Sequence, residues 1–140
     1  MIAINYLAVL LAAIANFIIG FIFHSPPVGK LWMKLAKVKM TGKEKMSDMV
    51  PQMIKNLVAN FVFGIGIAVA YAVASTSSAI SASNIIIGIH SAIVIWLLVL
   101  VPTSSIDVIW MGKSGKLWLY EIGVSLLTCL AMGAIIAAFG

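Results

Sequence analysis

The chain has 140 residues, of which 63% are hydrophobic and only 9% charged. A domain of this length has too little interior to hide that much apolar surface, which excludes a water-soluble globule. The net charge of +5 rests on lysines with no arginine, and these flank apolar runs, which points to membrane orientation and lipid head groups rather than nucleic acid.

Four apolar stretches are long enough to cross a hydrocarbon core, which takes about 20 residues of helix. The expected fold class is all-α: an integral membrane four-helix bundle in one domain, 1–140, with spans at about 5–24, 51–74, 84–102 and 116–139. The first span has no basic leader and no small-residue cleavage site, so it is expected to be retained rather than removed as a signal peptide. It ends at Phe23 or His24, because Pro26 and Pro27 cannot continue a helix.

Gly29 then permits a change of direction, and residues 29–40 read as an amphipathic helix lying in the interface. Leu31, Trp32, Leu35 and Val38 should face lipid or the bundle. Lys30, Lys34 and Lys37 should face water and lipid phosphates, with Thr41-Gly42 ending the helix. Ser47 or Asp48 is placed to cap the second span, with Pro51 in its first turn. The third span is expected to stop at Pro102. After it, "SSIDVIWMGK" offers a capping pattern from Ser104 to Asp107 and a short second interfacial helix ended by Gly112.

Lysines 30 to 55 lie between spans one and two, and Lys113 and Lys116 between spans three and four. The connection "STSSAISAS" between spans two and three carries no charge. The positive-inside rule places both lysine loops in the cytoplasm and both termini outside, in a multi-pass protein of the cell membrane.

Polar side chains inside spans are costly and tend to have partners. Asn16 lies in line with Ala8, Ala12 and Gly20 on span one, and Asn56, Asn60, Gly64, Ala68 and Ala72 repeat the pattern on span two. Small residues let backbones approach and asparagine bridges helices, so spans one and two are expected to pack along these faces. Gly133 and Ala137 offer a similar face on span four. Glu121 is the one acid that enters a span, and His24 and Lys55 should sit at similar depth. Such a cluster would gate a proton or small solute; the plainer reading is an interfacial carboxylate paired with a lysine or water. His90, in the outer part of span three, is expected to make an inter-helix hydrogen bond. The two histidines lie toward opposite faces and Cys129 is alone, so no metal site, cofactor or disulfide is expected. No phosphate loop, nucleophile–base motif or dinucleotide fingerprint appears.

The stretch "NYLAVLLAAIANFIIGFIFHSPPVGKLWMKL" resembles the start of a family of small four-span membrane proteins of unknown function. Asn5, Gly20, Pro26, Gly29, Lys30 and Trp32 fall on its first motif, and Trp96, Pro102, Met132 and Gly133 on its second. Two places depart from that pattern: Phe23-His24 stands where Trp-Tyr is typical, and "MGKSGK" where the family has an acidic or arginine-containing turn. The resemblance implies four spans and brings no activity, substrate or catalytic residue.

The leading functional expectation is a non-enzymatic protein, an accessory subunit or homo-oligomer in a larger membrane complex, held against anionic lipids and binding no nucleic acid. Four short-looped helices leave little room for a private cavity, so functional surfaces should be shared between chains. The alternative is a small dimeric transporter or channel for a proton or small solute, using Glu121, His24 and Lys55.

Overall fold

A computed structural model describes residues 3–26, 28–39, 43, 45–77 and 82–140. Among them there are six α-helices and no strand: α1 Tyr6–His24, α2 Lys30–Leu35, α3 Met46–Ser75, α4 Asn84–Ile95, α5 Val101–Trp110 and α6 Gly115–Phe139. A π-helical turn, Trp96–Leu100, joins α4 to α5, so Asn84–Trp110 is one apolar rod. Four helices are thus long and apolar enough to cross a membrane: α1, α3, the α4–α5 rod and α6. They stand in a ring in that order, and α6 touches every other helix. Large apolar side chains such as Leu7, Ile18, Val62 and Leu98 cover the outside, as a surface in contact with lipid requires.

The stretch after Pro102 is helical, as expected, but it is not a separate element. Pro102 lacks the N–H that would bond back to Leu98. The π-turn absorbs the fault: the Val101 N–H reaches the Trp96 carbonyl, and the Thr103 hydroxyl donates to the Val99 carbonyl at 2.6 Å. A π-turn is a common way to accommodate such a break inside an α-helix. Ser104 therefore caps nothing; it lies mid-helix, donates to the Val101 carbonyl and accepts from Trp118 Nε1 at 2.9 Å.

α3 also begins earlier than expected. Lys45 is its N-cap residue. Ser47 and Asp48 lie inside the first turn, where the Asp48 carboxylate suits the helix dipole. Pro51 follows inside the helix. At 30 residues the helix is about 45 Å long, so its first turns lie beyond a hydrocarbon core of about 30 Å.

The helix expected after Gly29 is real but short. It stops at Leu35 because Lys37 takes a left-handed conformation, φ 57°. The Val38 N–H returns to the Met33 carbonyl at 3.0 Å and the Lys37 N–H to the Lys34 carbonyl at 3.4 Å. That pair of bonds is the Schellman closure of a helix C-terminus. Val38 and Lys39 consequently fold back toward the bundle instead of extending the helix to residue 40. Lys30, Lys34 and Lys37 are exposed, as are Leu31 and Val38, while Trp32 is half-buried. Thr41 and Gly42 lie outside the described residues, as do residues 78–81 of the serine-rich connection.

Packing is concentrated at the end of the bundle remote from the lysines. Val9 and Ala12 of α1, Ile67 and Ala68 of α3, Ala92 of α4, and Cys129, Met132 and Ile136 of α6 form one buried cluster. The closest helix approach is α4 on α6. A Cβ added to Gly88 would strike the Gly133 carbonyl and Ala137, and one added to Gly133 would strike the Gly88 carbonyl and Ala92. Asn5 fastens the same end. Its side chain accepts from the Leu7 and Ala8 N–H groups, capping α1, and donates to the Phe139 carbonyl of α6 at 2.6 Å.

Candidate functional site

The opposite half of the bundle opens out. Between the second half of α1, the first halves of α3 and α6, and the folded-back α2 segment lies a cavity of about 790 Å³, within the size range of small-molecule sites. From His24 at its mouth to Asn16 at its floor is eight residues of α1, or about 12 Å of rise, so it reaches mid-span. α3 makes no contact with α5 among the described residues, which leaves the two apart at this level. The expectation that one chain has no room for a private cavity is therefore corrected. Helices held tight at Gly88 and Gly133 diverge toward the other end.

Several residues singled out in the sequence meet here. Asn16, Gly20 and His24 from α1, Asn56 and Asn60 from α3, and Glu121 from α6 all line the cavity. A Cβ added to Gly20 would meet nothing within 4 Å, so Gly20 faces open space rather than a seam. Gly64 is where α3 closes: it is buried, and a Cβ there would lie 3.0 Å from Val9 Cγ1 and 3.1 Å from Met132 Cε. The side-chain amide of Asn16 donates to Met132 Sδ at 3.2 Å, a weak acceptor. Asn56 and Asn60 stand on the α3 wall as free amides, with no hydrogen bond to another described residue.

The mouth is a polar and aromatic cluster. Glu121 Oε2 lies 2.5 Å from Lys113 Nζ, and Oε1 accepts from Trp32 Nε1 at 3.3 Å. The Trp32 ring meets His24 edge-on, with centroids 4.8 Å apart. His24 Nδ1 donates to the Gly20 carbonyl at 2.6 Å, which leaves Nε2 directed elsewhere. Tyr120 packs against His24 at 6.3 Å and donates its hydroxyl to the Phe23 carbonyl at 2.7 Å. Trp32 thus reaches the bundle through Gly29, where an added Cβ would collide with the Ser25 and His24 backbone.

Lys55 is not part of this cluster. It is exposed and neighbours Asn56 in sequence, so it projects about 100° around α3 from the cavity wall. Lys113 takes the role instead, on the link between α5 and α6. Gly112, φ 70°, reverses the chain there, and the Lys113 N–H returns to the Asp107 carbonyl at 3.1 Å. The ammonium then lies near both Glu121 and the Asp107 carboxylate, the latter at 3.6 Å. Its pKa is held above the ordinary 10.5, first by the hydrogen bond to Glu121 and then by the two carboxylate charges, with partial burial acting the other way.

One tryptophan that the sequence offered only as a motif position also serves this region. Trp96, on the π-turn, donates to Ser125 Oγ at 2.9 Å and to the Ile122 carbonyl at 3.0 Å. A smaller cavity of about 340 Å³ between α5 and α6 lies beyond them and shares Glu121 and Ser125 with the larger one. His90 is exposed on α4 and makes no hydrogen bond among the described residues, contrary to the expected inter-helix bond. Among the described residues no three His, Cys, Asp or Glu side chains gather as a metal site would require.

No curated protein and no solved structure matches the chain. A family model does, over residues 7–137, and its description is "Protein of unknown function (DUF1761)". With that match over nearly its whole length, and with four helices long and apolar enough to cross a membrane, the chain is a membrane protein that belongs to the DUF1761 family.

Proposed function

We propose that this chain is a non-enzymatic membrane protein that binds a small amphipathic solute in the cavity between α1, α3 and α6, and that the lysine-bearing mouth faces the cytoplasm. The observation carrying this is the cavity's one-sided build. It is open at the lysine end and shut at the other by the cluster around Ile67 and Met132. Unpaired amides at mid-span would be costly against lipid and suit a compartment that admits water and a solute's polar groups. The orientation follows from the lysines. A reagent that enters only with water tests both points. In a Cys129→Ala background, Asn60→Cys should react with an impermeant thiol reagent from the cytoplasmic side, and Val62→Cys, on the outer face, should not. No reaction at position 60 from either side would sink the cavity reading; reaction from outside alone would reverse the orientation.

A second reading, assembly with another copy or a larger membrane subunit, draws on His90. An imidazole on the lipid-facing side of a span is expensive without a partner, and the described residues provide none. Native mass spectrometry should then find an oligomer or a co-purifying subunit that His90→Leu weakens. A wild-type monomer free of other protein would count against it.

A further inference from the structure

Among the described residues, Glu121 is the only carboxylate lining the larger cavity. Both its oxygens are engaged, one by the Trp32 N–H and one by the Lys113 ammonium. The two partners differ in kind. Trp32 is fixed by its edge-on contact with His24. Lys113 belongs to no span; it reaches in from a link whose reversal at Gly112 aims it, and its side chain keeps 24% of its surface in water. An ion pair partly open to water is worth less than a fully buried one, so the ammonium can leave without the full penalty of breaking a buried pair. A receiver stands ready, since the Asp107 carboxylate is already 3.6 Å from it and more exposed than Glu121. Deeper in, the cavity offers further features that attract a cation: the rings of Phe17 and Phe21 and the amide oxygens of Asn56 and Asn60.

We infer that Glu121 is the binding carboxylate of a site for a small organic cation, a primary ammonium on an apolar body, and that Lys113 is a tethered occupant such a ligand displaces. The inference rests on the cavity reading above and gives it a ligand class. Lys113 already shows the contact in question, a primary ammonium on a four-carbon stem against Glu121. The exchange takes the cluster from two carboxylates sharing one ammonium to one ammonium for each. The incoming ammonium takes Glu121, Lys113 moves to Asp107, and neither carboxylate is left alone in a partly dry site. Lys39 at the mouth has the opposite effect on a cation, but it is exposed and its field is screened over about 8 Å at physiological ionic strength.

Three isosteres separate the outcomes: 2-phenylethylammonium, neutral 2-phenylethanol and anionic 3-phenylpropionate, titrated calorimetrically into the protein in zwitterionic nanodiscs, with empty nanodiscs subtracted. Wild type should prefer the ammonium. Lys113→Gln should bind it about tenfold more tightly, the gain expected if the tether occupies Glu121 about nine-tenths of the time. Lys113→Arg should stay near wild type. Glu121→Gln should lose the ammonium preference while still binding the alcohol. Unchanged or weaker ammonium binding by Lys113→Gln, with thermal unfolding confirming a folded variant, would overturn the tethered-occupant role. A preference for the carboxylate, or ammonium binding untouched in Glu121→Gln, would overturn the ligand class, with the cavity reading intact. Failure of all three probes in every variant, together with an unreactive Asn60→Cys, would take the cavity reading down as well.

Discussion

Gly88→Ala should destabilise the bundle by forcing its most closely packed helix pair apart. A Cβ there falls inside van der Waals contact of the Gly133 carbonyl and the Ala137 methyl. Neither is the movable tip of a long side chain, so α4 and α6 must separate. Overpacking of this kind costs about 1–3 kcal/mol, and in a membrane, close small-residue contact is itself a main source of helix association. Gly133→Ala makes the reciprocal collision with the Gly88 carbonyl and Ala92 and should cost a similar amount. Because each substitution pushes the same two helices apart, the double variant should cost less than the sum of the singles. Gly66→Ala and Gly123→Ala are the controls: an added Cβ at either meets nothing within 4 Å, so the change should be neutral or stabilising by up to about 1 kcal/mol through helix propensity. Unfolding in mild detergent with increasing dodecyl sulfate, followed by circular dichroism, gives the comparison. A Gly88→Ala protein as stable as Gly66→Ala would refute the claim that this crossing is the tightest in the molecule.

Lys37→Gly should stabilise the α2 turn by about 0.5–1 kcal/mol, since glycine removes the left-handed penalty and recovers somewhat less than all of it through its looser unfolded state; the same unfolding assay reads it. Asn5→Ala should cost about 1 kcal/mol through loss of the α1 cap and should raise amide exchange at both ends it joins, the start of α1 and the end of α6. The Lys113 pairing has a defined pH sense. Its pKa is raised on folding, so its stabilisation is fully present below the ordinary 10.5 and is lost as pH rises through the higher folded value. The difference in midpoint between wild type and Lys113→Gln should therefore hold steady from neutral pH and shrink only above about 10.5; a difference that vanishes by pH 9 would contradict the pairing.

The spans are legible because uninterrupted apolar runs admit few alternatives. The cavity is harder to read. Asn16, Asn56 and Asn60 are visible as small or polar residues on one helix face, but that pattern is the same whether two such faces close on each other or stand apart. What decides is the helix crossing, and that is set at the other end of the bundle by Gly88, an unremarked glycine whose partner Gly133 was visible only as half of a pair. Lys55 illustrates a different limit. Depth along a helix placed it beside Glu121, but angle around the helix turns it away, and the adjacency of Lys55 to Asn56 already carried that information. Lys113 could not be placed by periodicity at all. It depends on the positive φ of Gly112 and on a helix that runs on past a proline.

That continuation is itself a device with a testable role. If α4 ended at Pro102, the following turn would have its own direction and nothing would fix Asp107 relative to Glu121. With the π-turn, Trp96 is anchored on Ser125 and Ile122 while the rod carries Asp107 to the α6 side. The wider turn and the indole anchor should therefore depend on each other. Trp96→Phe keeps the ring but loses both hydrogen bonds, a cost of about 1–2 kcal/mol. Pro102→Ala restores an N–H at 102, and with it the option of rewinding Trp96–Leu100 to regular α-helix. While Trp96 holds the turn open, that option is closed and the substitution should be nearly neutral. In the Trp96→Phe background the turn is released, and Pro102→Ala should become stabilising by about 0.5–1 kcal/mol, a coupling within the range seen for neighbouring residues. Strict additivity of the two substitutions would mean that the turn is set by the proline alone and that Trp96 merely occupies the space it leaves.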